Sequence, residues 1–385
     1  MQKKSMNHVA LVTTSFPENE PGSEAAGSFV ADFADELSRH CLVTVVAPGL
    51  RGIQEERRGN LAIRRFAVPS LPLSLLTPAN PVHWSRIIST MKSGQAALTV
   101  LCNEEPVDHI FSLWVFPAGW WAFQMNRALG VPYSVWALGS DIWVLSKIPG
   151  MKKILRNIIR GSFMSFADGY GLKNDVERIS GRPCSFLAST RNFPVLSGKQ
   201  LKSAPPYRLA YLGRWHPNKG VDILLDSLGR LNSGDWACIE EVRIFGGGPM
   251  EGSVSSACEA LRRKGCPVTI GGYLDKKGAA ELLAWTDYLL LPSRIESIPV
   301  IYSDAMKSHC PVISTPVGDL PRLTAQLRSG LLSEAVNEHA FAKAIRVGLH
   351  DRSPSFYADD LDKASAEFDL GVIVHKFAEM LFPDS

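Results

Sequence analysis

Between Tyr211 and Gly318 short apolar runs alternate with segments long enough for helices, and this alternation restricts the fold more than anything else in the chain. The runs Leu209–Leu212, Val242–Phe245, Tyr288–Leu291 and Pro311–Ser314 have strand length, and each is followed by Gly, Pro or Ser. Strands separated by helical segments predict a parallel sheet whose ligand site lies at the carboxyl ends of its strands. At those ends stand Arg214 and Lys219, a Gly-Gly-Gly-Pro turn at 246–249, and Glu296. Two cations, a glycine turn and a carboxylate suit a phosphorylated small molecule.

A chain of 385 residues accommodates two domains of ordinary size, each with its own core. The formal charge of +3 is too small to argue for nucleic acid on bulk charge. Seven scattered cysteines without a C-x-x-C pair speak against a disulfide framework or a zinc site and fit a reducing compartment. The apolar run Val9–Val12 is too short for a signal peptide, and no apolar stretch approaches transmembrane length. The expected location is cytoplasmic, at most peripheral on the inner face of a membrane.

The first half reads as a strand at His8–Thr13, a loop with Pro17, Pro21, Gly22 and Gly27, and a helix from Ser28 with Phe29, Val30, Phe33 and Leu37 on one face. Leu42–Ala47 is a second strand. Asp108–Ser112, Tyr133–Ala137 and Gly169–Gly171 continue the alternation. Pro69–Pro81, rich in Pro, Leu and Ser, reads as a loop. The expected organisation is a first domain over 1–191, a linker over 192–206, a second domain over 207–367 and a final helix over 368–385. In that helix Val372, Ile373, Phe377 and Leu381 share helical register.

Four elements in order resemble the carboxyl-terminal half of glycosyltransferase family 4, the retaining sugar transferases of the GT-B fold. They are GR–x4–KG at Gly213–Gly220, GxGP at Gly246–Pro249, carboxylate–x7–carboxylate at Glu296 to Asp304, and PVI–x4–G at Pro311–Gly318. In the first half, Phe16-Pro17 with Pro21-Gly22 and the GSD at Gly139–Asp141 match more loosely. The resemblance implies an α/β chain of two Rossmann-like domains facing a cleft, with the last helix crossing back to the first domain. It also implies transfer of a sugar from a nucleotide-diphosphate sugar to a hydroxyl acceptor, with no metal or other cofactor.

By that resemblance Arg214 and Lys219 stabilise the leaving diphosphate, where charge develops as the glycosidic bond breaks. Glu296 contacts the donor sugar near its anomeric centre, and Asp304, where the family usually has Glu, holds the ribose hydroxyls. Ser297 reads as an N-cap and Pro299 as a first-turn residue of a helix whose amino terminus, with Ser297 and Ile298, faces the diphosphate. Gly246 and Gly248 permit close backbone approach or positive φ, but Glu251 breaks any dinucleotide fingerprint, so NAD is not expected. Gly272, Tyr273 and Leu274 match the place where family members hold the base, though a tight turn explains them equally. Gly22 and Gly27 border a loop expected to face donor phosphates and acceptor. Asp141 is either a cleft residue or a helix N-cap, and Leu138 stands where many members have a contacting His.

Asp360-x-Asp362 lies in an acidic surface run and is assigned no metal. Most tryptophans of the Trp114–Trp143 region suit packing. In Met151–Phe163 an apolar face with Lys152, Lys153, Arg156 and Arg160 around it suits either its own domain or an anionic membrane surface carrying a lipid-linked acceptor. Cell-envelope polysaccharide or lipopolysaccharide synthesis is the expected setting. Two further readings remain: a non-catalytic GT-B subunit that binds a sugar nucleotide, motivated by Leu138 and Asp304, and a sugar-nucleotide epimerase.

Overall fold

The computed structural model describes residues 6–17, 27–50, 54–71, 73, 76 and 80–383. The chain forms two compact units, Met1–Arg191 with Leu370–Ser385, and Asn192–Asp369.

The strands of the first unit are β1 (His8–Val12), β2 (Leu42–Gly49), β3 (Gln54–Arg58), β4 (Leu61–Ala67), β5 (His109–Leu113), β6 (Tyr133–Ala137), β7 (Ser165–Ala167) and β8 (Ser185–Phe186). Among the described residues they form one sheet in the order β3-β4-β2-β1-β5-β6-β7-β8. All neighbours are parallel except β3 and β4. The central strands β1 and β5 are buried along their whole length, as a sheet covered on both faces requires. Two features differ from the sequence reading. Gln54–Arg58 pairs as an edge strand although every residue in it is exposed, so no apolar alternation marks it. The strand expected at Gly169–Gly171 is instead Ser165–Ala167, because Tyr170 already opens a helix.

One face of this sheet carries the Ser28–Leu37 helix, with Val30, Phe33, Ala34 and Leu37 buried. The Leu370–Leu381 helix completes that layer. Its inward residues are Leu370, Val374, Phe377 and Leu381, while Val372 is exposed, contrary to the register read from sequence. Phe377 lies 4.4 Å from Phe111 and 5.3 Å from both Phe33 and Phe166, ring centre to ring centre. Phe377→Ala should cost the first unit about 3–5 kcal/mol, the range for emptying a buried aromatic site. Denaturant unfolding measures it, and a loss below about 1 kcal/mol would contradict this packing.

The Met151–Gly161 helix commits its apolar face to the opposite layer, where Leu155, Ile158 and Ile159 are buried. Two of its four basic side chains are also occupied. Arg156 Nε donates to the Ile179 carbonyl at 3.0 Å and Arg160 Nε to the Ser180 carbonyl at 2.7 Å, both at the end of the Tyr170–Ser180 helix. The apolar face proposed for membrane contact is therefore part of the core. Trp121 and Trp136 are fully buried, and Leu71 and Leu73 of the Pro69–Pro81 segment pack, partly buried, against the core cluster that contains Trp121.

The second unit contains β9 (Tyr207–Arg214), β10 (Ile239–Gly247), β11 (Val268–Gly271), β12 (Tyr288–Leu291), β13 (Val312–Ser314) and β14 (Gly330–Leu332). Among the described residues they form an all-parallel sheet ordered β11-β10-β9-β12-β13-β14. Counted within the unit this is the doubly wound order 3-2-1-4-5-6, whose switch point lies between its first and fourth strands, β9 and β12. The segment before β9 is tied to this unit. Lys199 Nζ donates to the Leu283 carbonyl at 2.8 Å, and Lys202 Nζ reaches Glu240 at 2.7 Å.

No helix among the described residues is long and apolar enough to cross a membrane.

Candidate active site

The switch point is where the crevice of a doubly wound sheet opens, and the sequence places its charged residues there. β9 runs into a single 3-10 turn, Pro217–Lys219, then into the Val221–Leu228 helix. β12 runs into the irregular segment 292–299, then into the Val300–Lys307 helix. Both helices begin at the carboxyl edge of the sheet, so their positive ends flank the same crevice.

Across it Lys219 Nζ forms an ion pair with Glu296 Oε1, their side chains 36% and 10% exposed. Ser293 Oγ donates to the same oxygen at 3.1 Å. Beneath them Tyr211 is buried, its hydroxyl donating to the Arg214 carbonyl at 2.9 Å. Burial pushes the Tyr211 phenol far up, and the negative charges of Glu296 and Asp222 push the same way. Arg214 is exposed, and its guanidinium makes no hydrogen bond or ion pair among the described residues.

The Glu296 segment is clamped from both sides. Towards β9, Arg294 N–H donates to the Asn218 carbonyl at 2.8 Å. Towards β13, Thr315 Oγ1 donates to the Ser293 carbonyl at 2.5 Å, and Asp319 N–H to the Ser297 carbonyl at 3.2 Å. Gly318 has φ 54°, and a Cβ there would run into the Glu296 and Ser297 carbonyls. Gly220, at φ 66°, is pressed in the same way against the Pro292 carbonyl.

Ser297 is not the N-cap. Pro299 holds that position with ψ 134°, an extended conformation that delays the helix to Val300. Ser297 Oγ is instead buried without a hydrogen-bond partner among the described residues, next to the buried Ile298. Asp304 is fully buried within the helix.

The triple-glycine turn is shaped by the protein's own backbone. Gly246 (φ 151°) abuts the Gly213 carbonyl, and a Cβ on Gly248 (φ 144°) would lie 2.8 Å from the Trp215 carbonyl. The Tyr273 ring covers Gly247 and its hydroxyl donates to the Gly247 carbonyl at 2.7 Å. Gly272 accepts from Gly246 N–H at 3.2 Å, and a Cβ on it would meet open space. Tyr273 and Gly272 are exposed and Leu274 is half-buried.

In the first unit Gly22 lies outside the described residues. Gly27 (φ 83°) starts the Ser28–Leu37 helix tight against the Ser15 carbonyl. Asp141 is only 2% exposed and is neither an N-cap nor a surface group. Its carboxylate accepts from Val115 N–H at 2.7 Å and Leu138 N–H at 3.2 Å, joining the loops that leave β5 and β6. Burial raises its carboxyl to about 6, although the amides of Val115, Leu138, Asp141 and Ile142 pull it down. Asp360 and Asp362 of the acidic run pair with Arg328 (3.3 Å) and His309 (2.9 Å).

Residues 206–351 match the family model described as Glycosyl transferases group 1. That stretch of the chain resembles a group 1 glycosyltransferase domain. It holds the whole Lys219–Glu296 cluster. Over 277 residues, 69% of this chain and 67% of the other, the sequence is 26% identical to the Bacillus subtilis glycosyltransferase TuaC, named for teichuronic acid biosynthesis. Sucrose-phosphate synthase of Thermosynechococcus elongatus superposes with a TM-score of 0.75 at 15% identity, covering 98% of this chain and all of that one. HepE of Anabaena, solved in complex with UDP-glucose, gives 0.67 at 15% identity over 97% and 99% of the two chains. With the matched stretch inside its second unit, the chain has the GT-B fold.

Proposed function

We propose that the chain is a retaining glycosyltransferase moving a sugar from a nucleotide-diphosphate sugar to a hydroxyl acceptor, without a metal. The observation that carries this reading is the meeting of Lys219 and Glu296 at the switch point of the second unit. A cation and a carboxylate beside two helix amino termini suit a diphosphate leaving group joined to a polyhydroxylated ring. Without donor the pair is mutually neutralised. When donor binds, Lys219 and the uncommitted Arg214 take the diphosphate, and Glu296, still held by Ser293, faces the sugar. Asp304, eight residues on, is assigned the ribose hydroxyls, and the Gly246–Gly248 and Gly272–Leu274 turns the nucleotide. The leaving phosphate takes the acceptor proton, so no separate general base is needed. HepE's complex with UDP-glucose supports a uridine nucleotide as the donor class to try first. TuaC's name supports a cell-envelope saccharide as acceptor.

The test is a thermal-shift panel of UDP, GDP, ADP and their sugars with and without EDTA. Stabilisation by one nucleotide, unaffected by EDTA and lost in Lys219→Ala, is the expected result. Binding without transfer or slow donor hydrolysis would instead mark a non-catalytic subunit, and conversion of donor to an isomer an epimerase.

A further inference from the structure

Arg294 is the residue of the Glu296 segment whose contacts have no evident place in donor binding. It is exposed on an irregular stretch, yet every bond it makes among the described residues runs to the short segment 217–222. Its backbone N–H reaches the Asn218 carbonyl at 2.8 Å. Nη1 donates to the Pro217 carbonyl at 2.7 Å and to Asp222 Oδ1 at 2.7 Å, and Nη2 donates to Asp222 Oδ2 at 2.6 Å. Pro217 and Asn218 immediately precede Lys219, and Asp222 lies in the first turn of the helix that follows it. Arg294 itself stands two residues before Glu296. The turn is stiffened from within, because His216 Nδ1 accepts from Asn218 N–H at 3.2 Å.

We infer that the Arg294–Asp222 fork is a positioning pair that fixes the distance and orientation between Lys219 and Glu296. Two irregular loops, following β9 and β12, have to present their charges to one small region. A misplacement of about 1 Å in either loop costs on the order of a hundredfold in rate. A planar guanidinium bound to both carboxylate oxygens and to a carbonyl fixes direction as well as distance, which a lysine at the same place does not. The pair is electrostatically real. Hydrogen bonds from Arg294 hold the Asp222 carboxyl below the usual carboxylate range, and Asp222 raises the Arg294 guanidinium. Both side chains are 37% exposed, and pairs in such positions add little to stability, about 0–1 kcal/mol. A stability role therefore does not account for the geometry, whereas registration of two loops does.

This inference rests on the glycosyl-transfer reading for its kinetic consequence but has a readout independent of it. Lys219 paired with Glu296 is shielded from amine reagents, so its rate of acylation by acetic anhydride, followed by peptide mapping, reports whether the two loops stay in register. Arg294→Ala should raise that rate about fivefold or more. It should also lower kcat at least about tenfold, with KM for donor within about threefold and melting temperature little changed. Arg294→Lys should behave like the alanine variant in kcat, because it keeps the charge and loses the fork, and it carries the test if the alanine variant fails to fold. Adding Asp222→Ala to Arg294→Ala should cost nothing further, since both remove one interaction. Acylation of Lys219 within twofold of wild type in the Arg294 variants would overturn the inference. If the wild type transfers no sugar, the proposed function fails while the acylation rates still decide the role of Arg294.

Discussion

Lys219→Ala should lower sugar-transfer turnover at least about a hundredfold while leaving the fold intact, the scale of loss when a group stabilising developing negative charge is removed. Lys219 lies in a short turn and is partly exposed, so its removal empties no core space. What it leaves is Glu296, 10% exposed and still hydrogen-bonded by Ser293 but without its cation. The donor diphosphate would then meet an uncompensated carboxylate in place of a neutral pair, so binding should weaken along with turnover. Steady-state kinetics with circular dichroism on the same preparation separates these effects from unfolding. Turnover within a few-fold of wild type would refute the assignment of Lys219 to the leaving group.

Gly220→Ala, one residue away, should have the opposite profile: a large loss of stability. Gly220 lies in the left-handed region at φ 66° and caps the Val221–Leu228 helix. Left-handed backbone costs a non-glycine residue about 1–2 kcal/mol, and forcing an atom into packed backbone costs about 1–3 kcal/mol more. The neighbour here is the Pro292 carbonyl, which cannot swing aside as a side chain tip can. A total near 3 kcal/mol, read by denaturant unfolding, is expected. A loss under about 1 kcal/mol would show that the β9 and β12 loops are not pressed together there.

Much of this architecture was legible in the chain because buried parallel strands are written as short apolar runs. Tyr288–Leu291 and Tyr133–Ala137 were read at their observed boundaries. Gln54–Arg58 was not, because an exposed edge strand needs no apolar residue on either face. Ser297 misled because its type suits an N-cap, while the backbone of Pro299 decides where the helix begins. Val372 and Val374 are indistinguishable by type, and only the angle at which their helix docks sends the second inward. Lys219 and Glu296 were both singled out, but their pairing joins positions 77 residues apart. Arg294 and Asp222 escaped notice for the same reason. Each is an ordinary surface charge until the sheet sets β9 beside β12, and nothing local in either segment announces the other.

The return of the last helix to the first unit has a consequence for biosynthesis. The first unit up to Arg191 is made before the second, yet the layer containing Phe33, Phe111 and Phe166 lacks Phe377 until the Leu370–Leu381 helix follows both. The second unit, an uninterrupted stretch from Asn192 to Asp369, is translated in between and has its six strands before that happens. The unit begun before the other is thus completed after it. During the interval its aromatic face is open to chaperones or to other nascent chains, which makes the Leu370–Leu381 helix the step that ends its exposure.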